Sequence, residues 1–327
     1  MGSQVKILSI DGGGIRGVIP AAVLAAIEER AGKPIAELFD LIAGTSTGGI
    51  LALGLTIDDG NGRPKHSAAA LRELYLDRGA EIFPPLRPAW ARVARGAFDE
   101  RYPEGPLVEV LRDCMGEARL KDALRRVMVT AYEIELRQPF FFRSARAAED
   151  PGGYDYPVWQ AARATAAAPT YFEAARIPAP DDSSDAYALV DGGVFANNPA
   201  MCALTDLRQG HHAEAADPVE VEDMFMVSLG TGELNGRIPW DEARGFGFYG
   251  WGRHLLGVVM DGVADAAAFQ CEQFLEDRYH RFQTPLEAGT TGLDDASQRN
   301  LEALDERAKD LVAEQSAKID EVCERLT

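Results

Sequence analysis

The stretch Phe39 to Gly49, FDLIAGTSTGG, constrains this chain more than any other. An apolar run ends at Gly44, and the helical pattern of Ile50, Leu51, Leu53 and Leu55 starts directly after it. Ser46 therefore falls in a strand-to-helix turn, with Gly44 and Gly48 two residues to either side in a G-x-S-x-G pattern. The glycines permit a sharp turn, and the following helix aims free N–H groups and the positive end of its dipole at the serine oxygen. Such a turn presents a nucleophile. It is also an ordinary capped turn, since Ser, Thr and Gly all favour helix starts. Further machinery has to decide between the two.

A second strand-to-helix loop lies upstream. Val5 to Ile10 reads as a buried strand and runs into Asp11-Gly12-Gly13-Gly14-Ile15-Arg16-Gly17, with a helical pattern from Val18 to about Arg30. Three glycines in a row leave backbone N–H groups free to face an anion. Gly12, Gly14 and Gly17 also satisfy G-x-G-x-x-G, so a nucleotide-binding protein has to be weighed. That fingerprint wants an acidic residue at the end of the second strand, where this chain carries Ala43-Gly44-Thr45-Ser46. The glycine loop reads better as an oxyanion hole, and no G-K-[ST] follows it to make a P-loop.

A third block completes the set. Tyr187 to Val190 enters Asp191-Gly192-Gly193, an aspartate at a strand end, where α/β enzymes place reactive side chains and where an Asx-turn is the ordinary alternative. Asn197-Asn198-Pro199 caps the next helix. None of the five histidines, His66, His211, His212, His254 and His280, carries a local signature of a catalytic base. Only one strand fits before the Ser46 element, which disfavours the ordinary α/β-hydrolase triad and leaves Asp191 as the candidate base.

These three blocks, in this order, resemble the signature of the patatin-like phospholipases, with Ala168-Pro169-Thr170-Tyr171-Phe172 and Asn197-Asn198-Pro199 resembling its supporting segments. The resemblance is clear over residues 5 to 202 and weaker over 203 to 327. It implies a single catalytic domain of α/β class: a three-layer sandwich with a mostly parallel central sheet, helices on both faces and a helical insertion. It implies Ser46 as nucleophile and Asp191 as base, with the N–H groups of Gly12, Gly13 and Gly14 as oxyanion hole and Arg16 supporting that loop. Gly44, Gly48, Gly192 and Gly193 are the motif's structural glycines. The implied reaction is hydrolysis of a phospholipid acyl ester through an acyl-enzyme, at transient contact with a membrane surface, with neither metal nor organic cofactor. A desolvated Asp191 is expected, because an unperturbed carboxylate is a poor base towards a hydroxyl. The resemblance extends to bacterial effectors, some of them switched on by a cyclic nucleotide in anti-phage defence, although no nucleotide-binding motif is visible for such an activator. Alternatives are a small-ester hydrolase or thioesterase on the same dyad, and a storage or scaffold protein that keeps the fold without turnover.

Composition narrows the partners. A net charge of −19 over 327 residues argues against DNA or RNA and against simple docking on an anionic membrane. Four cysteines without a C-x-x-C pair fit a reducing cytoplasm, and the early strand at Val5 leaves no signal peptide ahead of it. The expected location is cytoplasmic or peripheral at the inner membrane surface.

The remaining elements follow from pattern. A mostly helical insertion is expected over 58 to 122, with helices from about Ser67 to Ala80 and Pro106 to Met115, and with Trp90, Arg92, Arg95 and Arg101 as a patch near a stiff proline loop. Val127 to Glu133 and Pro139 to Phe142 read as paired strands, and Pro157 to Ala168 as a close-packed small-residue helix. Phe246, Phe248, Tyr249 and Trp251 among glycines suggest either a mobile, sticky element at the pocket mouth or ordinary core packing, before an apolar helix from about His254. One amphipathic terminal helix is expected from about Ala296 to Leu326.

Overall fold

The structure is a computed structural model; it describes residues 4–85, 101–181, 184–209, 218–234, 238–287, 290 and 292–327. Strands of four or more residues are β1 (Val5–Ile10), β2 (Leu41–Thr45), β3 (Arg126–Glu133), β4 (Gln138–Arg143), β5 (Ala175–Pro178), β6 (Ala186–Asp191), β7 (Met224–Leu229) and β8 (Tyr279–Phe282). Helices of eight or more among the described residues are α1 (Val18–Ala31), α2 (Thr47–Gly54), α3 (Ala68–Ile82), α4 (Glu104–Met115), α5 (Val158–Thr165), α6 (Ala200–Arg208), α7 (Gly247–Leu275), α8 (Gln298–Glu314) and α9 (Ser316–Leu326).

One sheet in the order β5-β6-β3-β2-β1-β7-β8, with β4 also on β3, organises everything else. The pairs β2–β3, β1–β2, β1–β7 and β7–β8 are parallel, and β4, β5 and β6 pair antiparallel. The strands of the parallel centre are buried along their length, as a sheet covered on both faces requires. Alternation splits their side chains between two cores. Leu8, Ile10, Ile42, Phe225 and Val227 face a large core, while Ile7, Leu41, Ala43, Met224 and Met226 face a smaller one. Helices α1 to α5, α8 and α9 pack on the first face, and α6 and α7 cover the second, giving the three layers expected. The C-terminal region continues the same sheet, since β7 lies directly against β1.

The helices expected after Ser67 and before Met115 are α3 and α4, while Trp90, Arg92 and Arg95 lie outside the described residues. Arg101 is committed to packing: it pairs with Asp294 at 2.6 Å and lies over the Tyr171 ring.

Two expectations change. The terminal helix is two helices, broken at Gln315 (φ −105°, ψ 22°). The break lets the apolar faces of both α8 and α9 wrap against α1, which one straight rod could not do. The aromatic-glycine stretch is not a separate element before a helix at His254. It forms the first turns of α7, which begins at Gly247, with Phe246 stacked on His254 at 4.8 Å. The sequence pattern also passes over β5 and β8, short edge strands with too few residues for a clear alternation.

Candidate active site

The register of β3 brings the two key residues together. β2 pairs along it until Thr45 meets Thr130, and β6, running the opposite way, ends where Asp191 meets Ala131. β4 overlaps both registers and so holds the other edge of β3. The C-terminal ends of β2 and β6 therefore meet head-on along one edge, and the residues at their tips, Ser46 and Asp191, share one pocket.

Ser46 occupies a left-handed backbone region, φ 55° and ψ −124°, rare for a side-chain-bearing residue and paired here with a strand-to-helix turn. The turn is tight because α2 starts almost on top of the strands. A Cβ on Gly48 would stand 2.1 Å from the Ile10 carbonyl oxygen, and one on Gly44 would stand 2.2 Å from the Gly48 oxygen. The Ser46 N–H donates to Thr165 Oγ1 at 2.7 Å, while the Asp191 N–H donates to the Ala167 carbonyl at 3.0 Å. The end of α5 thus braces both residues. Only its alanine content is conspicuous in the sequence, and the position of Thr165 in a packed segment gives no signal of this contact.

Asp191 is buried, with 1% of its surface exposed. Its Oδ1 accepts the Gly193 N–H at 2.7 Å, the Asx-turn bond. Its Oδ2 has no well-formed hydrogen bond. Burial raises its pKa to about 6, against a smaller lowering by the nearby Ser46 hydroxyl and the Gly193 N–H. The Ser46–Asp191 contact is therefore close enough to be felt electrostatically and still loose as a hydrogen bond, which is common before substrate tightens a site. Gly192 packs on Thr130 and Gly193 beneath Met260 of α7.

The glycine loop abuts Ser46: a Cβ on Gly12 would stand 3.1 Å from Ser46 Cβ. Its donors are not equivalent. The Gly12 N–H is engaged by the Asn197 carbonyl at 3.0 Å, so the resting loop withholds one of the three expected donors. The N–H groups of Gly13 and Gly14 have no hydrogen-bond partner among the described residues. Gly14 adopts φ +58°, and a side chain there would strike the Leu293 carbonyl. Arg16 sits behind the loop, buried, donating from Nε to the Gly13 carbonyl at 3.3 Å and from Nη1 to the Gly232 carbonyl at 3.5 Å. Its pKa is lowered to about 10, chiefly by burial, so it stays charged at neutral pH. Holding the Gly13 carbonyl turns that peptide and presents the Gly14 N–H on its other side. Asp11, at the root of the loop, receives a two-pronged pair from Arg281 (3.0 and 2.6 Å). This link between β1 and β8 joins positions 270 residues apart, beyond the reach of any local motif.

Ser46 and Asp191 open into a cavity of about 60 Å³, walled by Ile15, Ile50, Tyr75, Phe83, Leu107, Tyr171, Phe172, Met260 and Leu293. None of His66, His254 and His280 lines it; His66 contacts the Cys114 carbonyl instead, and His211 and His212 lie outside the described residues. A serine, a buried carboxylate of raised pKa, free loop amides and an apolar wall together suit acyl transfer from an ester.

Residues 8–204 match the family model described as Patatin-like phospholipase. The chain belongs to the patatin-like phospholipase family. It is 31% identical to Patatin-like protein 2 of Oryza sativa subsp. indica, with 92% of this chain and 82% of that one covered. It is 32% identical to Patatin-17 of Solanum cardiophyllum, over 93% of this chain and 82% of that one. It is also 31% identical to Probable inactive patatin-3-Kuras 1 of Solanum tuberosum, over 92% and 84%. As a patatin-like phospholipase, the chain is a carboxylic ester hydrolase acting on lipid acyl esters.

Proposed function

We propose that Ser46 and Asp191 form the catalytic dyad of this lipid acyl hydrolase. The observation that carries the reading is the head-on meeting of β2 and β6, which puts a left-handed serine and a buried carboxylate with one unpaired oxygen in one apolar pocket. In the first step Asp191 Oδ2 takes the Ser46 proton as Oγ attacks the ester carbonyl. The oxyanion settles on the Gly13 and Gly14 amides. Collapse expels the alcohol, which recovers the proton from Asp191. In the second step Asp191 deprotonates a water that attacks the acyl-enzyme, and the fatty acid leaves with Ser46 restored. A base with a pKa near 6 is ionised at neutral pH and is a stronger proton acceptor than an ordinary aspartate.

The cavity favours a second reading of substrate size. About 60 Å³ is well below the ~150 Å³ that holds one benzene in an engineered apolar cavity, so a long acyl chain requires its walls to move. The resting site fits a short acyl group, which supports a small-ester hydrolase or thioesterase on the same residues. A cyclic-nucleotide activator rests on sequence resemblance alone. Release of free fatty acid from phospholipid vesicles, beside a soluble ester series of rising chain length, tests the reading with wild type, Ser46→Ala and Asp191→Asn. Vesicle turnover that vanishes in both variants supports the phospholipase. Turnover confined to short esters supports the second reading, and variants that retain wild-type rates refute the dyad. A flat response to cyclic mono- and dinucleotides in the same assay removes the activator.

A further inference from the structure

Helix α7 is apolar on two opposite sides. Met260, Ala264, Ala267, Cys271 and Leu275 are buried against the sheet and the Ser46 pocket. On the other side, Trp251, Leu255, Val258, Gly262, Ala266 and Phe269 fall within an arc of about 80° at 3.6 residues per turn. Trp251, Leu255, Val258 and Phe269 are 43%, 54%, 44% and 64% exposed. A helix that is apolar on both sides is ordinarily covered on both.

We propose that this outer face pairs with the same face of a second copy of the chain, antiparallel, about a twofold axis near residue 260. The stripe is self-complementary under that operation. Trp251 of one copy meets Phe269 of the other, Val258 meets Gly262, and Leu255 meets Ala266, so every bulky aliphatic side chain lies opposite a small one. An isologous contact requires such reciprocity, in which position i meets j and j meets i. Gly262 is the point of closest approach, and a Cβ there meets nothing within 4 Å in the single chain.

Area and charge select this occupant. The four large side chains of the stripe expose roughly 300–500 Å² of apolar surface, taking each at about 150–250 Å². Two copies would cover about 600–1,000 Å², the weak end of specific interfaces, so association only towards about 100 µM is expected. A lipid surface fits less well. Interfacial helices carry several Lys and Arg beside their apolar face, whereas Trp251 to Leu275 sets Asp261, Asp265 and Glu272 against the single Arg253. No helix of the described residues is long and apolar enough to cross a bilayer.

Sedimentation of the full chain tests the pairing with wild type, Val258→Lys and Gly262→Leu. Gly262→Leu is the informative variant: it adds a side chain into open space on the single chain and fills the recess that receives Val258 in the pair. Wild type is expected to dimerise as its concentration rises towards about 100 µM, more tightly at about 0.5 M salt, which screens repulsion between two chains of −19. Both variants should remain monomeric, at least tenfold weaker in association, with wild-type circular dichroism and melting temperature under dilute conditions. A wild type that stays monomeric at high salt overturns the proposal, as does a dimer that survives both substitutions. Flotation of the monomer with neutral phosphatidylcholine vesicles, lost in Val258→Lys and kept or strengthened in Gly262→Leu, would assign the face to lipid instead.

Discussion

Asp191→Asn separates what the carboxylate does for the reaction from what its burial does to the fold. Its pKa rises from 3.8 to about 6 on folding. Between those values the folded protein holds a proton that the unfolded chain has released, so stability falls as pH rises from about 4 to about 6. Above the folded value the full penalty is present, about two pKa units or about 3 kcal/mol; below the unfolded value it vanishes. Asn keeps the shape and an oxygen for the Gly193 N–H, but it carries no charge to desolvate. The variant should therefore melt about 3–6 °C above wild type at pH 8, roughly half that difference should remain at pH 5, and almost none at pH 4. Ester turnover should drop by about 10³ or more. Thermal denaturation at the three pH values, beside the same ester assay, reads both effects. An Asn variant destabilised equally at every pH would refute the claim that the fold holds a buried, under-solvated carboxylate here. Retained turnover would refute its role as base.

Four further outcomes follow from the same geometry. In wild type, kcat/KM should fall about tenfold per pH unit below about 6, because protonation of Asp191 removes the base; a flat acid limb in a pH–rate profile would count against it. Thr165→Val removes the acceptor of the buried Ser46 N–H, costing about 1–3 kcal/mol by denaturant titration and slowing turnover as the elbow relaxes. Arg281→Met strands the buried Asp11 charge and should cost about 3–5 kcal/mol, while Arg281→Met with Asp11→Asn recovers much of it; an additive double variant would sink the pairing argument. Met260→Ala should move preference in the ester series towards longer chains by enlarging the pocket wall, and an unchanged profile would show that Met260 does not limit acyl length.

The parts of this molecule that were legible in the sequence are those where a local backbone need selects the residue. Gly44 and Gly48 are dictated by the close approach of α2 to the strands, and Gly14 by a left-handed turn, so the loops announce themselves within five to seven residues. Buried parallel strands announce themselves as well, because covering on both faces demands apolar-rich runs such as Val5–Ile10 and the one that ends at Gly44. Silent in the sequence is everything set by which distant segments meet. Thr165 looks like one small residue among alanines until α5 lays its hydroxyl against the Ser46 amide. The Gly12 N–H looks free until Asn197 brings its carbonyl to it. Arg281 is an unremarked basic residue on a four-residue strand until β8 closes the sheet beside β7 and carries it to Asp11.

That division bears on how the site works. The elements a local motif encodes, the elbow and the glycine loop, supply a serine and amides in nearly fixed positions, whereas the elements set by long-range packing decide whether those groups are available. Asn197 occupies one loop amide, and Met260 of α7 sits over Gly193 beside the Ser46 pocket. Met260 and Leu293, brought in from distant segments, are among the walls that hold the cavity to about 60 Å³. A long acyl chain is expected to displace wall residues such as Met260 of α7 or Leu293, with the two strand ends left in place. Substitutions on α7 should consequently change which ester is cleaved before they change how the carbonyl is attacked, and Asp191 or Ser46 substitutions should do the reverse.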